Sequence, residues 1–559
     1  MRDSRTDAAF AAAVTAGADQ EARAVLDVVE ELLGGEPHHR AVMRAAKTLT
    51  ACAIHPESVH FGSEAAARAA SRLVEFLAGM QGEDGLFDGE NLSSPPDTAF
   101  TLNDLCDTYA LALQAELLRP LASALERIAA AAKESMLRGG VHTPNHRWEL
   151  SAALARMHSH WPDERLVARI GQWLAEGVDI DADGLYSERS AIYALAVSNP
   201  SLTAIGAVLG RTDLLDAVCR NLAAIAAIAL PDGMVETVHS RRQDQRGSIP
   251  LAPFLMQFRR YAIERGRGDF AAVVETILEE PPVQPAEALA EILLEPALAG
   301  PLPAAEKPKA TRAVFGSAGL AVVRDGDFAV TVFGGSDYAA QGRIRSGLAS
   351  NPTFLRVFAG AAVLDSVRLS RDFFGLGPFR AEGLREEGEE FVLRERVAAG
   401  YYQPLPAAYL RADGDYALAD EGRFSAAMDF AHRPTDDEVA LETEVRVRLG
   451  EGEVRVDIEA NPGRVRQVLE LAFRDGGELE GVRPLATGGF EPVGGEFAYR
   501  VGGDRITVSV SGIGRSGDRP GYHPGEDYTH LSGTDAAQGT RLYLPLPATG
   551  RVTLTLRAA

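Results

Sequence analysis

Residues 143–154 read Thr-Pro-Asn-His-Arg-Trp-Glu-Leu-Ser-Ala-Ala-Leu, so an amide, an imidazole, a guanidinium, an indole and a carboxylate stand on the consecutive residues Asn145, His146, Arg147, Trp148 and Glu149. Pro144 favours a helix start and the apolar residues that follow favour a buried helical face, which puts the polar group at a helix mouth. Backbone N–H groups are unsatisfied there and attract anions, so the segment suits a carboxylate ligand. An ordinary helix cap, with His146 in solvent and Trp148 in the core, fits the same pattern. A second concentration of such groups is Val-His-Ser-Arg-Arg-Gln-Asp at 238–244, where His239, Arg241, Arg242 and Asp244 stand within six residues. Paired guanidiniums bind carboxylates through parallel hydrogen bonds. They also form ion pairs with neighbours such as Glu236 and Asp244.

The chain of 559 residues carries a net charge of -23, which disfavours nucleic acid and long polyanions as partners. A small acidic ligand requires a local basic cluster, which suffices because charges beyond about 8–10 Å are screened. Cys52, Cys106 and Cys219 stand far apart and read as core thiols, with neither a disulfide framework nor zinc spacing. The N-terminal segment lacks the apolar run of a secretory signal, and no stretch reads as long enough to span a bilayer, so a cytoplasmic protein without a membrane partner is expected. No phosphate-binding glycine loop, nucleophile elbow or metal-ligand cluster stands out, and no cofactor or metal is expected. Oligomeric state is not legible.

The elements that must position these groups change character near residue 300. Before it, apolar residues recur at three- and four-residue steps over 22–33, 65–80, 102–118, 121–137, 150–157, 166–176, 202–209, 214–230 and 254–265. Many helices with short connections imply a bundle, a solenoid or hairpins closed into a toroid, and periodicity does not choose among them. The connections at 91–98, 139–149, 181–193 and 231–244 carry charged and aromatic residues that helix termination alone does not require. A Pro- and Ala-rich linker is expected at 301–312. Beyond it come short alternating runs, among them 319–324, 328–333, 353–358, 442–449, 453–458, 468–473, 506–510, 540–546 and 551–557, which predict a large antiparallel sandwich over 313–559. No internal repeat of fixed period is evident.

A helical half (1–300) followed by a β-sandwich, with Asn145-His146 entering a helix and Asp183-Gly184 leading to Glu188-Arg189-Ser190-Ala191-Ile192-Tyr193, resembles the heparinase II/III-like polysaccharide lyases and the related alginate lyases. The resemblance implies an (α/α) toroid followed by an antiparallel β-sandwich, and a lyase acting on a uronate-containing glycan. By motif position Asn145 and His146 match the pair that neutralises a uronate carboxylate, and Tyr193 matches the tyrosine of proton transfer. One departure is plain. Those lyases draw a histidine from the first strands of the sandwich, whereas residues 336–351 contain none and offer Arg343, Arg345 and Asn351 instead.

Such chemistry removes the C5 proton of a uronate, which is feasible only where donors bind the developing enediolate more tightly than the ground state. A tyrosine with an ordinary pKa of about 10 needs nearby cations to reach its phenolate. Arg189, Arg241, Arg242, Arg343 and Arg345 are the candidates, with Trp148, Glu149, Glu188, Asp244, Tyr338 and Asn351 as further substrate-binding groups. The alternative for Tyr193 is a core tyrosine on a helix, with Tyr186 and Tyr338 as substitutes, and His239 reads as a second proton-transfer group or a surface histidine. Two rival classes remain. A glycoside hydrolase on the same helical frame would use two carboxylates from Glu149, Asp183, Glu188, Glu236 and Asp244. A non-catalytic carbohydrate-binding protein would use Trp148 and tyrosines as stacking platforms.

Overall fold

The computed structural model describes residues 7–89, 92–307, 310–337, 348, 350–420, 425–461, 465–486, 488–512, 527–528, 533–534, 536–547 and 551–559. The chain forms two compact units. One consists of Met1–Ser187, Ile192–Ala226 and Pro250–Pro308, the other of Glu188–Ala191, Ala227–Ile249 and Lys309–Ala559.

The first unit is helical: α1 (Ala8–Gly34), α2 (His39–Ile54), α3 (Glu64–Gly79), α4 (Pro95–Ala112), α5 (Arg119–Arg138), α6 (His146–His160), α7 (Glu164–Leu174), the single turn α8 (Ala191–Tyr193), α9 (Asn199–Leu209), α10 (Thr212–Ala227), α11 (Leu255–Arg265), α12 (Gly268–Ile277) and α13 (Pro285–Leu294). Local chemistry starts several of them, since the side chains of Asp7, Ser63, Ser94 and Asp163 each accept a backbone N–H of the first turn. Side-chain bonds then tie together the helices of an inner ring. His39 meets Thr101 at 2.6 Å and Lys47 meets Asp104 at 3.0 Å, joining α2 to α4. Asn103 donates to Glu149 at 2.6 Å and Arg156 to Asp107 at 3.0 Å, joining α4 to α6. Ser201 donates to Glu149 at 3.1 Å, joining α6 to α9. Asn199 meets Gln257 at 3.0 Å and Thr203 meets Tyr261 at 3.1 Å, joining α9 to α11.

Early residues meet early residues and late meet late in these pairs, so the inner helices run parallel. Arg260 pairs with Glu291 at 3.6 Å, and Lys47 with Glu287, which brings α13 back to α2. The result is a closed toroid of helical hairpins, the alternative that periodicity left open.

The run Ala191–Leu209 is, by length and composition, apolar enough to cross a membrane, which corrects the expectation that no stretch reaches that length. Here it is part of the helical ring. Its Ser201 bonds Glu149, and its Asn199 bonds both Tyr186 and Asn221.

A repeated turn, invisible by eye in the sequence, punctuates the chain. Asp84-Gly85-Leu86, Asp183-Gly184-Leu185 and Asp232-Gly233-Met234 each place glycine at positive φ, 78°, 88° and 74°. Each is flanked by an isolated bridge, Gln81 to Phe87, Ile180 to Tyr186 and Ala229 to Val235. Glycine is required at the second: a Cβ on Gly184 would lie 2.7 Å from the Arg220 carbonyl oxygen.

The second unit is a β-sandwich. Among the described residues a nine-stranded sheet runs in the order Val482–Pro484, Phe490–Pro492, Thr540–Pro545, Gln467–Phe473, Ala362–Arg371, Leu355–Ala359, Phe328–Phe333, Leu320–Asp325, Ala310–Phe315. Its pairings are antiparallel except for a single parallel step, Phe490 beside Leu542. An eight-stranded antiparallel sheet is centred on Thr435–Gly450, Glu453–Asn461 and Arg551–Ala558. Val330, Val357, Leu369 and Leu471 from the first sheet pack with Leu393, Val447, Val456 and Leu554 from the second. The strand Ala310–Phe315 begins inside the segment read as linker, and Glu188–Ala191 and Ala227–Ile249 group with the sheets although they precede residue 300.

The other face of the nine-stranded sheet carries an unusual load. Strand alternation puts Arg356, Ser366, Arg368, Ser370 and Glu470 opposite the core face, yet all five are buried. Arg368 and Glu470 form an ion pair at 2.6 Å, and Leu230 packs with Ala329, Phe358 and Val363 to cover part of this face.

Candidate functional site

In the helical unit, Asn145 precedes α6 and is only 2% exposed. Its side chain makes no capping bond; its Oδ1 accepts from Thr143 Oγ1 at 3.0 Å, so the ordinary-cap pattern is not the one adopted. His146 is half-buried and packs edge-on against His142, with ring centroids 4.8 Å apart. Tyr193 is half-buried at the end of α8, directly before a π-helical turn, Ala194–Ser198. Such turns are often retained at functional sites because they re-aim side chains. Tyr186 is excluded as a substitute: its buried hydroxyl donates to Asn199 at 2.9 Å, and burial pushes its pKa well up.

Two expected substrate contacts in this unit are corrected. Trp148 is 0% exposed, and its indole N–H donates to Asp179 Oδ1 at 3.1 Å, so it offers no face for a sugar. Arg147 reaches the same oxygen at 3.2 Å and lies over the indole ring at 4.5 Å. Glu149 is buried, with Asn103 and Ser201 donating to its two oxygens. Desolvation raises its pKa to about 7 against the lowering influence of those two donors. Both residues fasten α6 to its neighbours.

In the β unit the expected charged residues are brought together, largely by pairing. Arg241 forms a two-pronged contact with Asp337, at 2.6 and 3.2 Å, and Arg189 approaches the same carboxylate at 3.8 Å. Arg242 pairs with Glu188, whose carbonyl also accepts the Arg241 N–H at 3.0 Å. The partners are thus Asp337 and Glu188 rather than the Glu236 and Asp244 suggested by proximity in sequence. Asp244 instead accepts from Ser190 at 2.9 Å and from Ser240, organising its own loop. Arg189 adopts a left-handed backbone conformation (φ 50°), which a non-glycine residue keeps only where surroundings enforce it; its guanidinium donates to the Ser317 carbonyl at 2.6 Å.

His239 is 3% exposed, not a surface histidine. Burial first, then Arg189 and Arg356, lower its pKa to about 3, so its imidazole is neutral at physiological pH. Tyr338, Arg343 and Arg345 lie outside the described residues.

Asn351 lines a cavity of about 560 Å³ that belongs wholly to the β unit. Its side chain accepts the Thr353 N–H at 3.0 Å, and Thr353 meets Ser366 at 2.7 Å. Residues not singled out in the sequence complete the walls, chiefly Arg246, Arg356, Asp365, Arg474, Asp475 and Gln538. Arg356 is held by Glu236 at 2.6 Å, and Arg474 bridges Asp232 at 2.8 Å and Asp365 at 2.9 Å. One signal could have found Arg356, since it is the lone charged residue in the apolar strand pattern 353–358. Among the described residues no group of three His, Cys, Asp or Glu is placed to hold a metal ion.

This arrangement of a helical toroid and a sandwich matches solved polysaccharide lyases. Heparinase III aligns with a TM-score of 0.58 over 93% of this chain and 76% of its own, at 10% identity. The chain has the polysaccharide-lyase fold. A Streptomyces coelicolor A3 chondroitin AC lyase, solved in complex with chondroitin sulphate, aligns at 0.55 over 98% of this chain and 79% of its own, at 13% identity. A Paenibacillus xanthan lyase aligns at 0.53 over 98% of this chain and 57% of its own, at 12% identity. No family model and no curated sequence matches the chain.

Proposed function

We propose that the chain is a carbon–oxygen lyase that cleaves a short uronate-containing oligosaccharide by β-elimination. The observation that supports this most is the lyase fold itself, which covers 93% of the chain in the alignment with heparinase III. In this reading Asn145 and His146 donate to the uronate carboxylate and stabilise the enediolate formed when the C5 proton leaves. Tyr193 takes that proton. The electron pair then forms the C4–C5 double bond, the bond from C4 to the linking oxygen breaks, and the departing oxygen receives a proton.

The hydrolase alternative is weakened by the carboxylates themselves. Glu149, Glu188, Glu236 and Asp244, four of the five candidates, each accept bonds from neighbouring side chains and so serve as fastenings within the protein. A pure stacking module loses its main platform with the burial of Trp148. The test is a panel of uronate oligosaccharides incubated with the protein. β-Elimination yields an ultraviolet-absorbing unsaturated product with no oxygen from solvent; hydrolysis yields a saturated product that carries solvent oxygen, and that result would overturn the reading.

A further inference from the structure

The cavity of about 560 Å³ in the β unit has a polarity that the lyase fold alone does not explain. Its floor follows the nine-stranded sheet across neighbouring strands: Thr353 and Arg356 at Leu355–Ala359, Asp365 and Ser366 at Ala362–Arg371, Arg474 and Asp475 after Gln467–Phe473, and Gln538 before Thr540–Pro545. Residues 232–234 and 245–248 complete it from the preceding segment. Along the sheet Arg356, Asp365, and then Arg474 with Asp475 follow one another.

Arg356 and Arg246 both line the cavity, as do Asn351 and Gln245. A guanidinium has five N–H donors; Arg356 commits Nη1 to Glu236, and its buried Nε has no hydrogen-bond partner among the described residues. Arg474 spends Nε and Nη2 on Asp365 and Nη1 on Asp232. Its role is to hold those carboxylates, whose other lone pairs are acceptors, with Asp475 adjacent. Among the described residues Met234, Ala536 and Ala537 are the apolar side chains of the lining, and no aromatic ring contributes.

The walls thus suit a small, heavily hydroxylated ligand with one anionic end. An apolar ligand would strand these polar groups. A polyphosphate would meet as many aspartates as arginines, three of each. We infer that this cavity is a saccharide subsite that seats one acidic sugar, its carboxylate toward Arg356 and Arg246 and its hydroxyls toward Asp365, Asp232 and Asp475. The inference rests on the proposed lyase reading for the class of ligand, and goes beyond it by assigning a selectivity site within the sandwich.

The test uses the full-length protein carrying Tyr193→Phe, so that ligand is not consumed. Titration calorimetry with D-glucuronate and D-galacturonate, against D-glucose and D-galactose, should show each uronate binding at least tenfold more tightly than its neutral parent. Arg246→Gln should remove most of that discrimination while neutral-sugar affinity holds. Asp475→Asn should weaken acidic and neutral sugars alike. Arg356→Gln is a second probe, read only if its thermal unfolding stays cooperative; Arg246 is exposed and carries the test on its own. Equal affinity for uronate and neutral sugar, no saturable binding, or binding indifferent to Arg246→Gln would each overturn the inference. Binding as described with no unsaturated product from the unsubstituted protein would defeat the lyase reading and leave the subsite standing. Product formation with a KM unchanged by Arg246→Gln would do the reverse.

Discussion

Arg356 Nη1 donates to Glu236 Oε1 across 2.6 Å, joining a sheet strand to the segment before the sandwich, and both side chains are buried. Glu236 Oε1 also accepts the N–H groups of Thr237 and Val238, each at 2.8 Å. Removing one partner of a buried pair leaves the other charge uncompensated, at a cost of about 3–5 kcal/mol. Glu236→Ala should therefore lower the stability of the protein by that order in urea unfolding. Arg356→Met combined with Glu236→Leu should lose less than the sum of the single changes. Additive losses would show that the two groups do not act as a pair.

The buried Glu149 makes the helical unit sensitive to pH near neutrality. Its pKa is raised to about 7 from 4.5, so between those values the folded chain binds a proton that the unfolded chain does not. That contribution is fully present below pH 4.5 and is lost as pH rises through about 7. A shift of this size corresponds to roughly 3 kcal/mol. Glu149→Gln should flatten this part of the stability profile, measured by urea unfolding from pH 5 to pH 8. An unchanged slope would contradict the assignment.

His239 has the opposite sign. Its pKa is lowered to about 3, so the unfolded chain is the one that takes up a proton as pH falls below 6.5. Stability from this residue is present above pH 6.5 and is lost as pH falls toward 3. His239→Gln should make the protein less sensitive to acid over that window, as read by thermal unfolding midpoints. Proton NMR of the imidazole should show no titration near neutrality; a midpoint close to 6.5 would refute the buried, neutral state.

Trp148→Phe should act on stability alone. The change removes the indole donor to the half-buried Asp179, which keeps its bonds from Arg147 and Ser187, a loss of about 1 kcal/mol. Sugar affinity, measured by calorimetry, should not move. A tenfold loss of affinity with an unchanged unfolding midpoint would return Trp148 to the binding surface.

Much of the architecture was legible because it rests on periodicity. Patterns at 102–118 and 150–157 became α4 and α6, and alternation at 328–333 and 468–473 became two strands of the nine-stranded sheet. The missed elements failed for local reasons. Residues 39–54 carry Lys47, Thr48 and Thr50 on buried positions, which breaks the apolar stripe, because α2 faces helices on several sides. The strand Ala362–Arg371 buries Ser366, Arg368 and Ser370, so its two faces do not separate by polarity. Closure of the ring depends on pairs such as Lys47 with Glu287, far apart in sequence. At the site, residue type located chemistry but not partners: the arginines at 241 and 242 were visible, whereas their pairing with Asp337 and Glu188 required the fold. Trp148 and Glu149 stood out as reactive groups because a sequence does not distinguish a buried polar fastening from an exposed ligand contact.

The central claim is that Tyr193 moves the proton in a β-elimination on a uronate. The most direct measurement is the rate of unsaturated product formation from a uronate oligosaccharide by the unsubstituted protein and by Tyr193→Phe, with both confirmed folded by their unfolding midpoints. The account predicts an ultraviolet signal that grows with the unsubstituted protein and falls by at least a hundredfold with Tyr193→Phe, in line with the usual contribution of a positioned acid–base group of roughly 10²–10⁴. Full activity in Tyr193→Phe, or a saturated product bearing solvent oxygen, would contradict it.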